Sequence, residues 1–433
     1  MNLAPSTVNP YSRPLYVMAK PAGPMCNLAC DYCYYLEKSA LIQQPSLTPQ
    51  SSATVPAPSS CAAISSQQPS SLIPPPSSLM TDALLERFVS QYIASQSQQE
   101  VLFTWHGGEP LLRDLSFYRR AMELQRRYAN GHIIDNCIQT NGTLLTDEHC
   151  RFFHDNGWLV GISIDGPQEL HDACRKNRAG KPSFNDVMRG IKLLQKHHVE
   201  WNAMAVVNAI NADYPQEFYR FFRNIGCRYI QFAPIVERTV PLTENSSRLA
   251  HIMDDIDAPL TPLSVTPRQW GDFLCSLFDE WVKEDVGEVY VQMFEATLAN
   301  WCGVTPGVCT MGKACGHVVV MEYNGDIYSC DHFVFPEYRI GNLSEQTFLE
   351  MMYGERHSRF ARLKQQLPGQ CRKCEYLFAC NGECPKNRFL TTADGEYGLN
   401  YLCEGYRRYF GHVAPFMDDM RRKLKDKYLE LPY

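Results

Sequence analysis

The chain has 433 residues, of which 45% are hydrophobic and 20% charged, and its formal net charge is -6. It contains no apolar run near the roughly 20 residues that cross a bilayer, and its first residues lack the apolar stretch of a secretory signal. These properties argue against a membrane protein and predict a cytoplasmic one. The acidic balance and the lack of a dense cluster of Lys and Arg also predict that no nucleic acid is bound.

Eighteen cysteines in such a chain predict metal ligation, because reducing compartments keep thiols from forming disulfides. Eleven lie in tight spacings near the two ends of the chain: Cys26, Cys30, Cys33, Cys309, Cys315, Cys330, Cys371, Cys374, Cys380, Cys384 and Cys403. The other seven are scattered singly: Cys61, Cys137, Cys150, Cys174, Cys227, Cys275 and Cys302. We interpret these seven as small buried apolar side chains or chance surface thiols.

The first half of the chain alternates predicted strands and helices, after a predicted N-terminal tail over residues 1–13. The predicted strands are Leu15–Ala19, Val101–His106, Ile133–Thr140, Trp158–Asp165, Trp201–Asn208 and Tyr229–Val236. The amphipathic stretches between them begin at Thr81, Leu115, Thr146, Phe184 and Tyr214. Residues 43–80 differ, since they are rich in Ser, Pro and Gln, and this composition predicts a disordered insertion.

Strands and helices that alternate six times predict parallel βα units with right-handed crossovers. Six units are too few for a closed eight-stranded barrel, so we expect an α/β fold in which residues 14–240 form an open, partial (β/α)6 TIM-like barrel. A doubly wound open sheet is the alternative. In both architectures ligands bind at the carboxyl ends of the strands, where the sequence places its CNLAC, GGEP, TNG and DGP segments.

The second half of the chain begins with a predicted helical bridge over residues 241–308, which includes a helix from Thr266 to Glu284. Residues 309–433 then form a predicted Cys-rich domain and a C-terminal helix, with a hairpin whose turn is Asn324-Gly325. The Cys-rich region has little apolar periodicity, so we expect bound metal clusters to stabilise it.

The first cysteine motif, Cys26-x3-Cys30-x2-Cys33, has three thiolates. A structural zinc ion and a self-contained four-iron cluster each take four ligands, so a cluster bound here would keep one iron open. The alternative is a zinc site that a distant His completes. The paired glycines of the GGEP segment, Gly107 and Gly108, allow the backbone to approach a ligand closely.

A CxxxCxxC motif with an aromatic residue before its last Cys, followed by GGEP, resembles the radical S-adenosylmethionine (SAM) superfamily. The resemblance implies a [4Fe–4S] cluster on Cys26, Cys30 and Cys33 whose open iron binds SAM. It also implies that an electron supplied to the cluster cleaves SAM and releases a 5′-deoxyadenosyl radical.

The segments QTNGTL, GISIDGP and QFAPIVE resemble the strand ends of the anaerobic sulfatase-maturating enzymes within that superfamily. This resemblance implies that the residues that hold SAM are Tyr32, Gly108, Ser163, Arg175 and Val236. Val236 has a second interpretation as a core residue. Asp165 has a second interpretation as a turn or capping residue before Gly166-Pro167.

The later cysteines run from Cys309 and Cys315 through Gly325 and Cys330 to C-x2-C-x5-C-x3-C and Cys403, and this order resembles the SPASM domain. The resemblance implies two auxiliary [4Fe–4S] clusters. One is bound by Cys309, Cys315, Cys330 and Cys384, and the other by Cys371, Cys374, Cys380 and Cys403. Two zinc sites are the alternative.

Asp331 follows Cys330 directly, and the Asp of this Cys-Asp pair is the proposed proton acceptor of sulfatase-maturating enzymes. A carboxylate beside an electron-accepting cluster is placed to take a proton as an electron leaves the substrate. The alternative is that Asp331 only accepts backbone hydrogen bonds at the end of the hairpin.

The resemblances together imply a radical SAM oxidoreductase with three [4Fe–4S] clusters and SAM. It would convert a Cys or Ser side chain of an unfolded sulfatase polypeptide to Cα-formylglycine, with a flavodoxin or ferredoxin as electron donor. One alternative is a SPASM-type peptide maturase that crosslinks a ribosomal peptide, although such enzymes often begin with a leader-binding domain and 25 residues precede Cys26 here. The other is a non-enzymatic zinc-binding scaffold.

Overall fold

Six parallel strands form the central part of one sheet, in the order in which they occur along the chain. They are β1 (Tyr16–Ala19), β2 (Glu100–Trp105), β3 (Ile133–Thr140), β4 (Leu159–Ser163), β5 (Trp201–Val207) and β6 (Tyr229–Pro234). The structure, a computed structural model, describes residues 15–38, 42, 76–240 and 257–429. The predicted tail over residues 1–13 and most of the predicted 43–80 insertion therefore lie outside the described residues.

Seven helices lie between these strands in the described part of the chain. They are α1 (Tyr34–Glu37), α2 (Asp82–Ala94), α3 (Leu115–Tyr128), α4 (Asp147–Asp155), α5 (Gln168–Cys174), α6 (Phe184–Lys196) and α7 (Pro215–Asn224). Thr81, Asp114 and Thr146 each accept a hydrogen bond from a backbone amide of the following first turn, which is why α2, α3 and α4 begin there. The predicted strands and amphipathic stretches are confirmed, whereas the sequence did not predict α1 or α5.

The parallel pairing of β1 to β6 confirms the predicted α/β class. Neighbours in the sheet are also neighbours in the sequence. This order differs from a doubly wound sheet, in which the strand order reverses at a switch point. The curvature of a partial barrel stays a prediction.

The sheet continues beyond both edges of these six strands. β7 (Tyr290–Val291) pairs with β6, and β8 (Val318–Met321) pairs in parallel with β1. Two antiparallel strands, β9 (Asp326–Tyr328) and β10 (Arg339–Asn342), complete it. The predicted turn at Asn324-Gly325 joins β8 to β9, and Gly325 adopts a φ of +87° there. The Cys-rich region thus extends the sheet of the first half, which the sequence did not predict, and the domain boundary near residue 309 stays a prediction.

The remaining elements surround the cysteines of the second half. They are α8 (Pro267–Glu284), α9 (Gln292–Trp301), α10 (Phe348–Tyr353), α11 (Glu355–Arg362), α12 (Gly369–Arg372), α13 (Leu377–Cys380), β11 (Leu390–Thr391), β12 (Tyr397–Leu399) and α14 (Cys403–Leu429). α8 begins where it was predicted, at a capping box formed by Thr266 and Gln269. It meets α14 at Gly405, where a Cβ would lie 2.2 Å from the carbonyl oxygen of Pro267. This close approach fixes the start of α14, and with it Cys403.

One cluster of buried apolar side chains extends from Leu15 to Met417. It includes residues of the parallel sheet, of α8 and of α14, so both halves of the chain share a core. None of the helices in the described part of the chain has the length and apolar character needed to cross a membrane.

Candidate active site and cysteine clusters

The loop of the first cysteine motif lies after β1 and is anchored to the segment that follows α5. The backbone amides of Ala29 and Asp31 donate to the carbonyl groups of Lys176 and Cys174, at 2.8 and 2.9 Å. The Nε of Arg178 donates to the carbonyl of Cys26 at 2.6 Å. None of the three cysteines of this loop forms a disulfide with a described residue, and the tertiary contacts hold them at the carboxyl end of the sheet.

Burial raises the pKa of all three thiols in this loop, that of Cys30 to about 11. Burial disfavours the thiolate, yet the thiolate is the form that binds a metal. A cationic centre held among the three thiols would supply the missing compensation. The donor set therefore fits an iron–sulfur cluster.

The GGEP segment packs directly against the same loop. The amides of Gly108 and Glu109 donate to the carbonyls of Gly23 and Met25, at 2.9 and 2.8 Å. A Cβ on Gly108 would lie 2.1 Å from the Met25 carbonyl oxygen, so only glycine fits. The buried Glu109 carboxylate in turn accepts from the Thr140 hydroxyl at 2.7 Å, at the end of β3. The cluster loop, β2 and β3 are thus fixed relative to one another.

Tyr32 of this loop meets the buried side chains of Asp165 and Arg175. Arg175 Nη1 donates to the Tyr32 hydroxyl at 2.8 Å, and that hydroxyl donates to the Asp165 carboxylate. Asp165 also accepts from the Val206 amide at 2.9 Å, so its side chain links two strand ends. The Nε of Arg175 is buried with no hydrogen-bond partner among the described residues. An unpaired guanidinium N–H of this kind suits an anionic ligand.

The other predicted SAM residues lie at the ends of β4 and β6. Ser163 accepts a hydrogen bond from Gln139 Nε2 at 3.0 Å across the neighbouring strand ends. Val236 is 3% exposed, and its side chain belongs to the hydrophobic core, in agreement with its second interpretation. The Val236 carbonyl accepts from Lys386 Nζ at 2.7 Å. The structure thus brings Tyr32 and Arg175 into contact, while the role of all five residues toward SAM stays a prediction.

Asp331 lies between the first cysteine loop and the Cys-rich region. Its carboxylate accepts hydrogen bonds from the Lys20 ammonium and the Tyr34 hydroxyl. Lys38 Nζ donates to the carbonyls of Asp331 and His332, at 3.0 and 2.9 Å. Burial raises the pKa of Asp331, but the nearby cations outweigh it and hold that pKa well below its usual range. The carboxylate is therefore ionised.

No local pattern marked the residues that surround Asp331, because each is an ordinary Lys or Tyr in its sequence context. Lys20 follows β1 directly, and Tyr34 opens α1. Tyr35, the next residue of α1, donates its hydroxyl proton to Glu322, with 2.6 and 2.8 Å to the two carboxylate oxygens. Only the pairing of β8 with β1 brings these side chains to the Cys330 hairpin.

The predicted ligands of the second auxiliary cluster line one cavity of about 250 Å³. Cys371, Cys374, Cys380 and Cys403 contribute to its wall. Three predicted ligands of the other auxiliary cluster, Cys309, Cys315 and Cys330, are also close enough to interact electrostatically. Burial is the largest cause that raises the pKa of the Cys330 thiol, and the thiols of Cys309 and Cys315 raise it further. Burial and the Glu383 carboxylate raise the pKa of the Cys384 thiol, and the thiols of Cys330 and Cys309 raise it further. The grouping agrees with the predicted ligand sets, and ligation itself stays a prediction.

The seven single cysteines differ from these sets. Cys150, Cys174, Cys227 and Cys275 are buried, in agreement with the predicted apolar role. Cys137 and Cys302 are partly exposed, and Cys61 lies outside the described residues.

Comparison with known proteins gives a consistent result along the whole chain. The sequence profile of the Radical SAM superfamily matches residues 21–222, and that of an iron-sulfur cluster-binding domain, SPASM, matches residues 309–375. The chain is 58% identical to the serine-type anaerobic sulfatase-maturating enzyme of Bacteroides thetaiotaomicron, over 98% of this chain and 95% of that protein. It is 28% identical to the cysteine-type enzyme of Clostridium perfringens, over 95% and 100%. The solved structure of native anSMEcpe with bound AdoMet and Cp18Cys peptide matches 95% of this chain and 100% of its own, with 27% identity and a TM-score of 0.77.

Proposed function

The chain belongs to the anaerobic sulfatase-maturating enzymes, and from this membership we propose how its own residues carry out the reaction. It is a radical SAM oxidoreductase with iron–sulfur and SAM cofactors, and it converts a Cys or Ser side chain of a sulfatase polypeptide to Cα-formylglycine. One observation carries the residue assignment. The partly buried Asp331 carboxylate is hydrogen-bonded to Tyr34, next to Cys33, and Asp331 directly follows Cys330 in sequence, so it lies between two proposed cluster sites.

SAM and the first cluster, when bound, supply the 5′-deoxyadenosyl radical that removes a hydrogen from Cβ of the target residue. We assign this cluster to Cys26, Cys30 and Cys33. We assign SAM binding to Tyr32, Gly108, Ser163, Arg175 and Val236. The unpaired Nε–H of Arg175 supports this assignment, because it suits the SAM carboxylate.

Asp331 is the proposed proton acceptor. Loss of a Cβ hydrogen leaves a substrate radical, and departure of the second electron makes its thiol or hydroxyl proton strongly acidic. An ionised carboxylate with a low pKa is therefore a sufficient base at this step. Lys20 and Tyr34 hold the two carboxylate oxygens in place and thereby orient them.

The two cysteine sets of the second half are the proposed ligands of two auxiliary [4Fe–4S] clusters, which makes three clusters in all. Cys330 directly precedes Asp331 in the chain, so a cluster held by Cys309, Cys315, Cys330 and Cys384 would supply an acceptor for the second electron beside the proposed base. A flavodoxin or ferredoxin in the cytoplasm is the proposed donor of the electron that cleaves SAM.

We also propose that the target residue is Ser. The support is the 58% identity to a serine-type enzyme, against 28% to a cysteine-type enzyme. A peptide of the target sulfatase with Ser at the modified position should therefore give more formylglycine than the matched Cys peptide.

An anaerobically reconstituted sample tests these assignments. We expect a brown protein with about twelve irons per chain, as three four-iron clusters require, and reductive formation of 5′-deoxyadenosine. Mass spectrometry should detect formylglycine in the Ser peptide and none in a matched Ala peptide. A crosslinked product without formylglycine would favour the peptide-maturase alternative, and a colourless zinc protein would eliminate the proposal.

A further inference from the structure

Two buried cations lie between the proposed sites of the auxiliary clusters. Lys364 is 1% exposed and Arg388 is 7% exposed. Among the described residues, no carboxylate oxygen lies within 4.0 Å of either charged group, and their hydrogen bonds go to backbone carbonyls. A buried charge is costly unless an opposite charge compensates it. The Glu383 carboxylate acts electrostatically on both cations, but one carboxylate compensates at most one of two positive charges. A further negative charge nearby would compensate the other.

Lys364 is attached to the backbone of one proposed ligand set. Its Nζ lies 3.3 Å from the carbonyl oxygen of Cys309 and 2.5 Å from that of Thr310. It lies 2.6 Å from the carbonyl oxygen of Glu383, which belongs to the peptide group that contains the nitrogen of Cys384. The ammonium is thus held beside two of the four cysteines proposed for the cluster next to Asp331.

Arg388 holds Lys364 and the neighbouring loop in position. Its guanidinium donates to the carbonyls of Gly382 and Asn381, at 2.7 and 3.1 Å, in the loop that joins Cys380 to Cys384. It also donates to the carbonyl of Lys364 at 3.0 Å. Because its bonds fix the backbone on both sides, Arg388 is a positioning residue for the Lys364 ammonium.

A carboxylate of opposite sign lies in the same loop. The Glu383 side chain is 2% exposed, and its carboxylate accepts from the side-chain amides of Asn387 and Asn400, at 3.1 and 2.6 Å. The Lys364 ammonium and the Glu383 carboxylate therefore both lie beside the loop between Cys380 and Cys384. Their effects on the reduction potential of a nearby cluster must be opposite in sign.

We infer that Lys364 is the counter-ion of the auxiliary cluster bound by Cys309, Cys315, Cys330 and Cys384, and that its charge raises the reduction potential of that cluster. The inference rests on the proposed function, in which this cluster accepts the second electron from the substrate. Reduction adds one electron, and so one negative charge, with no bond made or broken. A buried positive charge stabilises the reduced form.

Redox titration monitored by electron paramagnetic resonance tests the inference without any activity measurement. The full chain with Cys26, Cys30 and Cys33 replaced by Ala serves as the background, so that only auxiliary clusters give a signal. Lys364→Met keeps approximately the length of the side chain and removes its charge. In this background it should lower the midpoint potential of the cluster bound by Cys309, Cys315, Cys330 and Cys384. Lys364→Arg keeps the charge and should leave the potential near that of the background.

Two further variants test whether the shift comes from the buried charge of Lys364 or from the loss of any positive charge on the protein. Lys313→Met removes an exposed lysine between Cys309 and Cys315, and its shift of the same cluster's midpoint potential should be smaller because water and salt screen an exposed charge. Glu383→Gln removes the buried negative charge and should raise the potential. The opposite signs of the Lys364→Met and Glu383→Gln shifts are the expected signature.

Each outcome decides the inference. An unchanged potential in Lys364→Met, or an equal shift in Lys313→Met, would overturn it. Iron loss from Lys364→Met but not from Lys364→Arg would support the inference, because cluster binding would then require the charge of the side chain. Iron loss from both variants would make the role of Lys364 structural and overturn the inference. Absence of auxiliary iron in the unmodified protein would instead contradict the proposed function.

Discussion

The ammonium group of Lys20 donates a hydrogen bond to the carboxylate of Asp331, 311 positions later in the chain. The same ammonium lies 3.3 Å from the centre of the Tyr35 ring and 3.9 Å from the Glu322 carboxylate. Its side chain is 1% exposed, so these interactions are buried. The first strand, the cluster loop and the Cys330 hairpin are therefore joined by one charged network.

Replacement of Lys20 by Met should uncouple SAM cleavage from substrate oxidation. The Asp331 carboxylate loses one of its two anchors and is no longer held in one orientation, so we expect formylglycine yield to fall by roughly 10- to 100-fold. 5′-Deoxyadenosine should still form, because the change leaves the first cysteine motif intact. Chromatography of both products measures the ratio. Lys196→Met, which breaks an exposed ion pair with Asp147, is the control and should leave the ratio unchanged.

Replacement of Asp331 by Asn should remove the proton acceptor and keep the fold. We expect all three clusters and 5′-deoxyadenosine formation to persist, while formylglycine yield falls by roughly 10²-fold or more, the usual scale for loss of a general base. Asp326→Asn, in the same hairpin and paired with Arg339, is the matched control and should stay active. Near-normal formylglycine formation by Asp331→Asn would remove this residue from the mechanism, and cluster loss would make its role structural.

Replacement of Cys26, Cys30 and Cys33 together by Ala should abolish reductive SAM cleavage. About eight irons per chain should remain, because two four-iron clusters are unaffected. Iron analysis and assay of 5′-deoxyadenosine measure the two effects. Persistent SAM cleavage would show that the first cluster is assigned to the wrong cysteines.

Replacement of Gly108 by Ala should disturb the first cluster alone. The new Cβ would lie 2.1 Å from the Met25 carbonyl oxygen, and because this neighbour is backbone, the loop before Cys26 must move. We expect lower SAM cleavage and an iron content that falls toward about eight per chain. Gly307→Ala is the control, since an added Cβ there meets no atom within 4 Å. Full iron content and activity in Gly108→Ala would contradict the close packing of GGEP on the cluster loop.

The sequence by itself determined the local features of this protein. Apolar periodicity and capping residues such as Thr81 and Thr266 depend on near neighbours in the chain, so the strands and the starts of the helices could be predicted from them. The spacing of Cys26, Cys30 and Cys33 is equally local. These patterns were sufficient to indicate the α/β class, the family and the cysteine sets.

Only the tertiary structure decided which distant side chains meet. The parallel pairing of β8 with β1 brings Lys20 to Asp331, and nothing in the sequence around either residue marks it as a partner. Lys364 likewise has an ordinary local context, and it is special only because the chain folds the carbonyls of Cys309 and Glu383 around it. The physical reason is that burial and charge compensation depend on where the chain returns, whereas propensity and spacing depend on adjacent residues.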